Sequence, residues 1–213
     1  MGDGVYIAIP NTGTVRAELA KRICDIVATS KRKVGFNTVK NVPHDCSRNV
    51  IVKDFLDNPN LSGADWLLMI DSDIVPPLNI LDMTLADKDV TTAFCRVKRN
   101  DDGVSRDIPV CLYRESEGQD YEYDPSRMTG DLQKCDAVGT GCILIHRRVL
   151  VKMREAMKDW PSEKKGWFRF IYDEEGKMVK GEDLDFSEKA RELGFEIWFD
   201  SRFRCLHFTT AII

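Results

Sequence analysis

The stretch Trp66-Leu67-Leu68-Met69-Ile70-Asp71-Ser72-Asp73 decides how this sequence is read, because a continuous apolar run ends on two carboxylates separated by one serine. A short run without polar alternation suits a strand buried on both faces, the kind that parallel sheets use. In open α/β sheets the ligand crevice lies just beyond the carboxyl ends of such strands, which is where Asp71 and Asp73 fall.

Working outward, the flanking segments alternate between strand and helix periods. Val5-Tyr6-Ile7-Ala8-Ile9 reads as a buried strand closed by Pro10. Val15, Leu19, Ile23, Ile26 and Val27 recur at helical spacing, opposite a charged face of Arg16, Glu18, Lys21 and Arg22. A strand around Val34-Gly35-Phe36 follows. Ser47 is an expected N-cap for a second helix, marked by Val50, Ile51, Phe55 and Leu56 and ended by Asn58-Pro59. Beyond the central stretch, Val90-Thr91-Thr92-Ala93-Phe94 is another apolar strand. Residues 96–108 are charged, and 115–131 are polar and acidic, so both are expected to be loops or edge elements. Ala137 to Ile145 reads as one strand interrupted by Gly139 and Gly141, and a helix bearing Val149, Leu150 and Met153 comes next. A last helix is expected from about Glu182 to a C′ glycine at Gly194, before the strand Phe195–Phe199. The expectation is an α/β chain of one domain, 1–213, with a Rossmann-like front half (1–95) and an irregular back half (96–213).

Composition fits this. The chain has 213 residues, with 31 Lys+Arg against 35 Asp+Glu (net −4), 43% apolar and 31% charged. A chain of this length buries about 70% of the surface its unfolded form exposes, so it can build a core without disulfides or a structural metal. Disorder and collagen-like repeats are excluded. The mildly acidic balance gives no global field for phosphate polymers, so nucleic acid is not the default partner. Seven cysteines without CxxC spacing read as buried thiols in a reducing compartment. With no apolar run near the ~18 residues of a membrane span and no leader-like start, the expected localisation is cytoplasmic.

Several residues can carry chemistry. Two carboxylates two apart where a strand gives way to a loop, Asp71 and Asp73, can converge on Mg²⁺ or Mn²⁺ bridging to substrate phosphates, or simply form a solvated turn with Ser72. Gly181-Glu182-Asp183-Leu184-Asp185 is a second acidic cluster at an expected helix start. Its charge suits the helix dipole, and Glu182 or Asp183 could also take a proton from a hydroxyl, with Asp185 pointing elsewhere. His207 is either a satisfied, partly buried imidazole or a metal ligand that completes a metal–diphosphate pocket with Arg204. His44 and His146 lack carboxylate neighbours and read as structural. The turn Pro10-Asn11-Thr12 and the guanidinium of Arg48 could line a nucleoside or phosphate. Arg96, Lys98 and Arg99 could close over a diphosphate. Gly139-Thr140-Gly141 suggests close backbone approach by a ligand, and Trp167 is an acceptor platform or core.

In order and spacing these pieces resemble a GT-A fold glycosyltransferase, similar to the broad family 2 type and to small viral and bacterial members. The resemblance rests on Pro10-Asn11-Thr12, Ser47-Arg48-Asn49, the stretch Trp66–Asp73, Val138-Gly139-Thr140-Gly141-Cys142, Gly181–Phe186 and Cys205-Leu206-His207. It implies metal-dependent transfer of a hexose from a UDP- or GDP-sugar to an acceptor hydroxyl, with inversion favoured. Asp71, Asp73 and His207 would hold Mn²⁺ or Mg²⁺. Pro10, Asn11, Thr12, Arg48, Ser72 and Arg204 would bind the donor, and Gly139, Thr140, Gly141 and Trp167 the acceptor. Asp183, with Glu182, would be the base. The acceptor stays open among glycan, small molecule, protein and modified nucleic acid, the last supported by Arg96, Lys98, Arg99, Arg147 and Arg148. Rival readings are a haloacid-dehalogenase-like phosphatase, from Asp71-Ser72-Asp73-Ile74-Val75, and a sugar-nucleotide-binding module without catalysis. A sugar-nucleotide pyrophosphorylase would want a richer glycine loop than Gly13-Thr14-Val15-Arg16.

Overall fold

A computed structural model describes residues 4–11, 13–40, 43–101, 104–109, 111–114, 120–124, 126 and 131–208, with backbone alone for 96–101 and 104–109. In chain order the elements are β1 (Gly4–Asn11), α1 (Ala17–Thr29), β2 (Val34–Lys40), α2 (His44–Asp57), β3 (Ala64–Ile70), β4 (Ile74–Val75), β5 (Val90–Phe94), β6 (Arg96–Asp101) and β7 (Val104–Pro109). There follow β8 (Cys111–Leu112), β9 (Leu132–Cys135), β10 (Ala137–Val138), β11 (Cys142–His146), α3 (Arg147–Ala156), β12 (Ile171–Tyr172), β13 (Met178–Lys180), α4 (Glu182–Glu192), β14 (Ile197–Arg204) and β15 (Leu206–His207).

A seven-stranded sheet, ordered β2-β1-β3-β11-β5-β14-β9, organises the molecule. β1 runs parallel to β2 and β3, and β14 runs parallel to β5. β11 is inserted antiparallel between β3 and β5, and β9 closes the far edge antiparallel to β14. Strands from both sequence halves are thus interleaved in one sheet. The period-2 alternation of strand side chains sorts two cores. Tyr6 and Ala8 of β1 join Leu67 and Met69 of β3 under α2, α3 and α4, while Val5, Ile7 and Ile9 join Trp66, Leu68 and Ile70 against α1. Each of these aliphatic side chains contributes about 1.5–3 kcal/mol by leaving water.

The structure alters several expectations. β1 runs through Pro10 to Asn11, because its register with β3 ends at Ala8 and Pro10 is paired only with Val39 of β2, where a missing N–H is tolerated. α2 begins at His44 after Pro43, so Ser47 is no N-cap; it is buried inside the helix and its hydroxyl donates to Pro43 O at 3.0 Å. Val27 and Val50, assigned to apolar faces, are 43% and 49% exposed. The expected strand from Ala137 to Ile145 breaks at Gly139-Thr140-Gly141, letting β10 pair with β8 while β11 enters the central sheet. Cys24 and Cys46 are exposed, unlike the other five cysteines. The last helix ends as expected, with Gly194 at φ +88 beyond its C-cap. Residues 96–101 and 104–109 form an antiparallel hairpin, within the edge-element expectation. Among the described residues no helix is long and apolar enough to cross a membrane.

Candidate active site

The carboxyl end of β3 is fixed from three distant segments. Asp71 N donates to Gly141 O at 2.8 Å, Phe208 N donates to Asp73 O at 2.9 Å, and Arg16 N donates to Ser72 O at 3.2 Å. The second bond belongs to a short ladder in which β15 pairs with β4, His207 opposite Ile74. That ladder carries His207 back across the sheet to Asp73, with Nε2 and Oδ2 3.3 Å apart.

On the other side of the crevice, α4 starts at Gly181 without a side-chain cap and carries Glu182 and Asp183 in its first turn. Asp183 Oδ1 accepts the Leu184 N–H at 2.8 Å, satisfying one of the helix's free donors. Burial pushes the Asp183 carboxyl above its ordinary value, against the lowering effect of the Leu184 and Asp183 backbone N–H groups. Glu182 is also raised, chiefly by burial, with the Arg48 charge opposing and the Asp183 charge reinforcing. Asp185 points away into a buried pair with Lys189 at 2.5 Å, as expected.

Between these walls lies a cavity of about 400 Å³. It is lined by Arg48, Asp71, Ser72, Asp73, Gly139, Thr140, Gly141, Glu182, Asp183 and His207, all predicted from sequence and drawn from five separate stretches, together with His44, Thr92 and Cys95. A larger open cavity, about 620 Å³, lies at the end of α1 beside Lys31, Arg32, Leu78 and Asp82, and contains none of the predicted residues. A Cβ added at Gly141 would sit 3.8 Å from Asp71 Oδ2 and 3.6 Å from Cys95 Sγ, ordinary contacts, so protein packing does not require glycine there.

Other predicted residues lie elsewhere. Asn11 is buried, with its amide donating to Thr38 and its carbonyl oxygen accepting from Gly13 N, and neither it nor Pro10 lines the cavity. Thr12 lies outside the described residues, as do the side chains of Arg96, Lys98 and Arg99. Arg204 is exposed on β14, its guanidinium 5.1 Å over the Phe94 ring and not at the cavity. Trp167 donates from Nε1 to Leu150 O at 3.0 Å and packs against the core, so it offers no platform to the cavity. Arg147 donates to the carbonyls of Ala64 and Leu61, and Arg148, half exposed, is paired with Asp89. His146 is structural, edge-on to Trp66 at 4.6 Å. Of the cavity residues the sequence reading missed, Thr92, Cys95 and His44, only His44 carried a signal. Its signal was the i, i+4 spacing to Arg48, which puts both on one face of α2.

Asp71, Asp73 and His207 are the candidate donors for a divalent cation. Asp73 and His207 stand side by side, an oxygen and a nitrogen donor, whereas Asp71 Oδ1 accepts from Arg48 Nη2 at 2.7 Å. Among the described residues no three His, Cys, Asp or Glu side chains converge to hold an ion alone. Mg²⁺-type ions need only one or two protein ligands when water and substrate phosphates supply the rest, so the residues fit such an ion.

No family model and no curated protein matches the sequence. Solved structures do match. A197 from STIV superposes with a TM-score of 0.58 at 18% identity, over 96% of this chain and 85% of that one. A Drosophila β1,4-galactosyltransferase 7, solved with manganese, UDP-Gal and xylobiose, gives 0.52 at 14% identity over 97% and 71%. GalNAc-T7, solved with UDP, GalNAc and Mn²⁺, gives 0.50 at 11% identity, over 97% of this chain but only 44% of that one. The chain has a GT-A-like glycosyltransferase fold. In this GT-A frame, the mixed sheet with β11 antiparallel at its centre, flanked by helices, matches those neighbours, and the cavity sits at the carboxyl end of β3.

Proposed function

We propose that the chain is a metal-dependent glycosyltransferase that moves a sugar from a nucleoside-diphosphate sugar to an acceptor hydroxyl. The observation that carries this reading is the convergence of two acidic pairs, Asp71/Asp73 and Glu182/Asp183, with His207 and Arg48 on one cavity. The GT-A frame and the solved neighbours with Mn²⁺ and UDP support it.

Asp73 and His207 hold the ion, with Asp71 beside them. When bound, the ion supplies positive charge to the diphosphate that leaves. Asp183 takes the proton of the attacking hydroxyl; its raised affinity for a proton suits that task, and the Leu184 N–H fixes its orientation. A base on the acceptor side of the sugar gives inversion at the anomeric carbon. Gly139, Thr140 and Gly141 would serve the acceptor and Ser72 the donor, all four lining the one cavity. The phosphatase alternative would use Asp71 as a free nucleophile, and its Oδ1 is instead engaged by a buried arginine.

The test is a thermal-shift panel of UDP-, GDP- and TDP-sugars with and without Mn²⁺, on the parent chain and on Asp73→Ala. A ligand selective for the native state adds about 2.7 kcal/mol at a hundredfold excess over its Kd. The expected result is a Mn²⁺-dependent shift with one nucleotide, lost in Asp73→Ala. No shift with any nucleotide would overturn the reading.

A further inference from the structure

Nine large apolar side chains stand exposed among the described residues, and three of them, Tyr172 (58%), Met178 (52%) and Val179 (59%), crowd into the one hairpin β12–β13. Single exposed apolar residues are ordinary, whereas a cluster of them marks a surface that another molecule covers. The hairpin is firmly built although every residue from Tyr172 to Val179 is exposed. Asp173 N donates to Lys177 O at 2.9 Å, Gly176 N donates to Asp173 O at 3.0 Å, and Asp173 Oδ1 accepts from Glu175 N and Lys177 N. Gly176 takes the left-handed turn position at φ +79. The two strands pair only with each other, so among the described residues both outer edges keep backbone N–H and C=O groups without a strand partner. β13 runs through Gly181 into Glu182 and Asp183, which line the cavity. Val179 is four residues from Asp183. An extended chain covers at most ~3.6 Å per residue, which puts the patch within about 15 Å of the candidate base.

We propose that this hairpin docks the acceptor, and that the acceptor is a polypeptide: an extended, basic segment with apolar side chains that presents a Ser or Thr hydroxyl to Asp183. The inference rests on the glycosyl-transfer reading above and deepens it by naming the acceptor class. Three features favour this occupant. Open strand edges recognise a peptide main chain, which glycans and nucleic acids lack. Tyr172 and Met178 are cross-strand partners on one face, a footing for the side chains of an added strand rather than for a sugar ring on a single aromatic. The turn is acidic, with Asp173, Glu174 and Glu175 against Lys177, while Lys180 is held by Glu188. That charge attracts a basic segment and repels phosphate-bearing partners such as nucleic acid or an anionic bilayer. In the transfer, the hydroxyl oxygen bonds to the anomeric carbon as the bond from that carbon to the diphosphate breaks. The hydroxyl proton goes to Asp183, and the electron pair leaves with the diphosphate.

The experiment uses fluorescein-labelled decapeptides with a central Ser or Thr, one set flanked by Lys, Val and Tyr and the other by Glu, Val and Tyr, with free disaccharides as the glycan arm. Binding is read by fluorescence anisotropy without donor. Transfer is read by mass spectrometry with Mn²⁺ and the UDP- or GDP-sugar that gives the thermal shift. The basic set should bind and accept sugar about tenfold better than the acidic set. The double variant Tyr172→Ser/Met178→Ser should lower both about tenfold or more, and keep the Mn²⁺–nucleotide shift at its parental size. Glu174→Lys/Glu175→Lys should reverse the preference between the two sets. Equal peptide affinity in the parent and in Tyr172→Ser/Met178→Ser would overturn the inference. So would a parent that shows the nucleotide shift yet passes sugar to disaccharides alone or to no peptide. A parent with no nucleotide shift would instead sink the transfer reading, while peptide anisotropy would still judge the docking surface, and failure of the basic set to bind would overturn that too.

Discussion

The two acidic pairs that face each other across the cavity are alike in sequence and unlike in setting. Asp71 and Asp73 follow a strand, have side chains 21% and 46% exposed, and each meets a basic partner, Arg48 or His207. Glu182 and Asp183 open a helix, lie deeper, and both have carboxyls raised by burial. In the proposed mechanism the first pair receives the cation, and the second, whose carboxyls burial raises, takes the proton. Chemical identity alone assigns neither role. Solvent and neighbouring charge do.

The contrast breaks most readily at Asp73. Asp73→Ala should abolish the Mn²⁺-dependent nucleotide shift and lower transfer by about a thousandfold or more, since metal stabilisation of the leaving group is worth several kcal/mol. If the shift persisted, the two pairs would not differ as described. Asp183→Asn should lower kcat by about 10²–10⁴-fold, the range for a general base, while leaving the Mn²⁺–nucleotide shift in place. A variant that lost both would merge the pairs into one site.

Gly181→Ala sharpens the comparison without touching a charge. A Cβ there would lie 2.7 Å from Asp183 Oδ1, so the carboxylate must turn. Steady-state kinetics should show kcat reduced on the order of tenfold at unchanged donor KM, because misplacement of a reacting group costs rate rather than ground-state affinity.

The smallest effect is thermodynamic. A carboxyl whose folded pKa is raised favours the fold fully below its unfolded pKa, and this contribution is lost as pH rises through the folded value. At neutral pH Asp183 therefore opposes folding. Asp183→Asn should raise Tm at pH 7.5 by about 2–4 °C, the equivalent of ~1 kcal/mol in a chain of this size, with the gain shrinking toward pH 4. Melting curves with an equal gain at both pH values would show that burial of charge is not the cause.

Much of this was legible from the chain. The apolar run into Asp71 marked β3 and its crevice, Gly194 marked the end of α4, and Asp185 was expected to point away from the site, as its ion pair with Lys189 has it. Other features were not. Arg204 and Trp167 carry side chains suited to a donor or acceptor, but β14 turns one outward and the core absorbs the other. The partners of Arg147 and Arg148, the carbonyls of Ala64 and Leu61 and the carboxylate of Asp89, lie in distant segments. His44 looked idle because its partner in the site is a helical turn away and its site is assembled from other strands.

The sequence by itself determined the local elements and the residue types at their ends, since hydrophobic period, turn chemistry and strand length are properties of neighbouring residues. Only the tertiary structure decided which of those ends meet. The insertion of β11 between β3 and β5, the β4–β15 ladder that returns His207 to Asp73, and the tether from Arg48 to Asp71 and Glu182 join residues 23 to 134 positions apart. Such contacts are selected by the burial and charge balance of the whole packed sheet, which no local window of sequence contains.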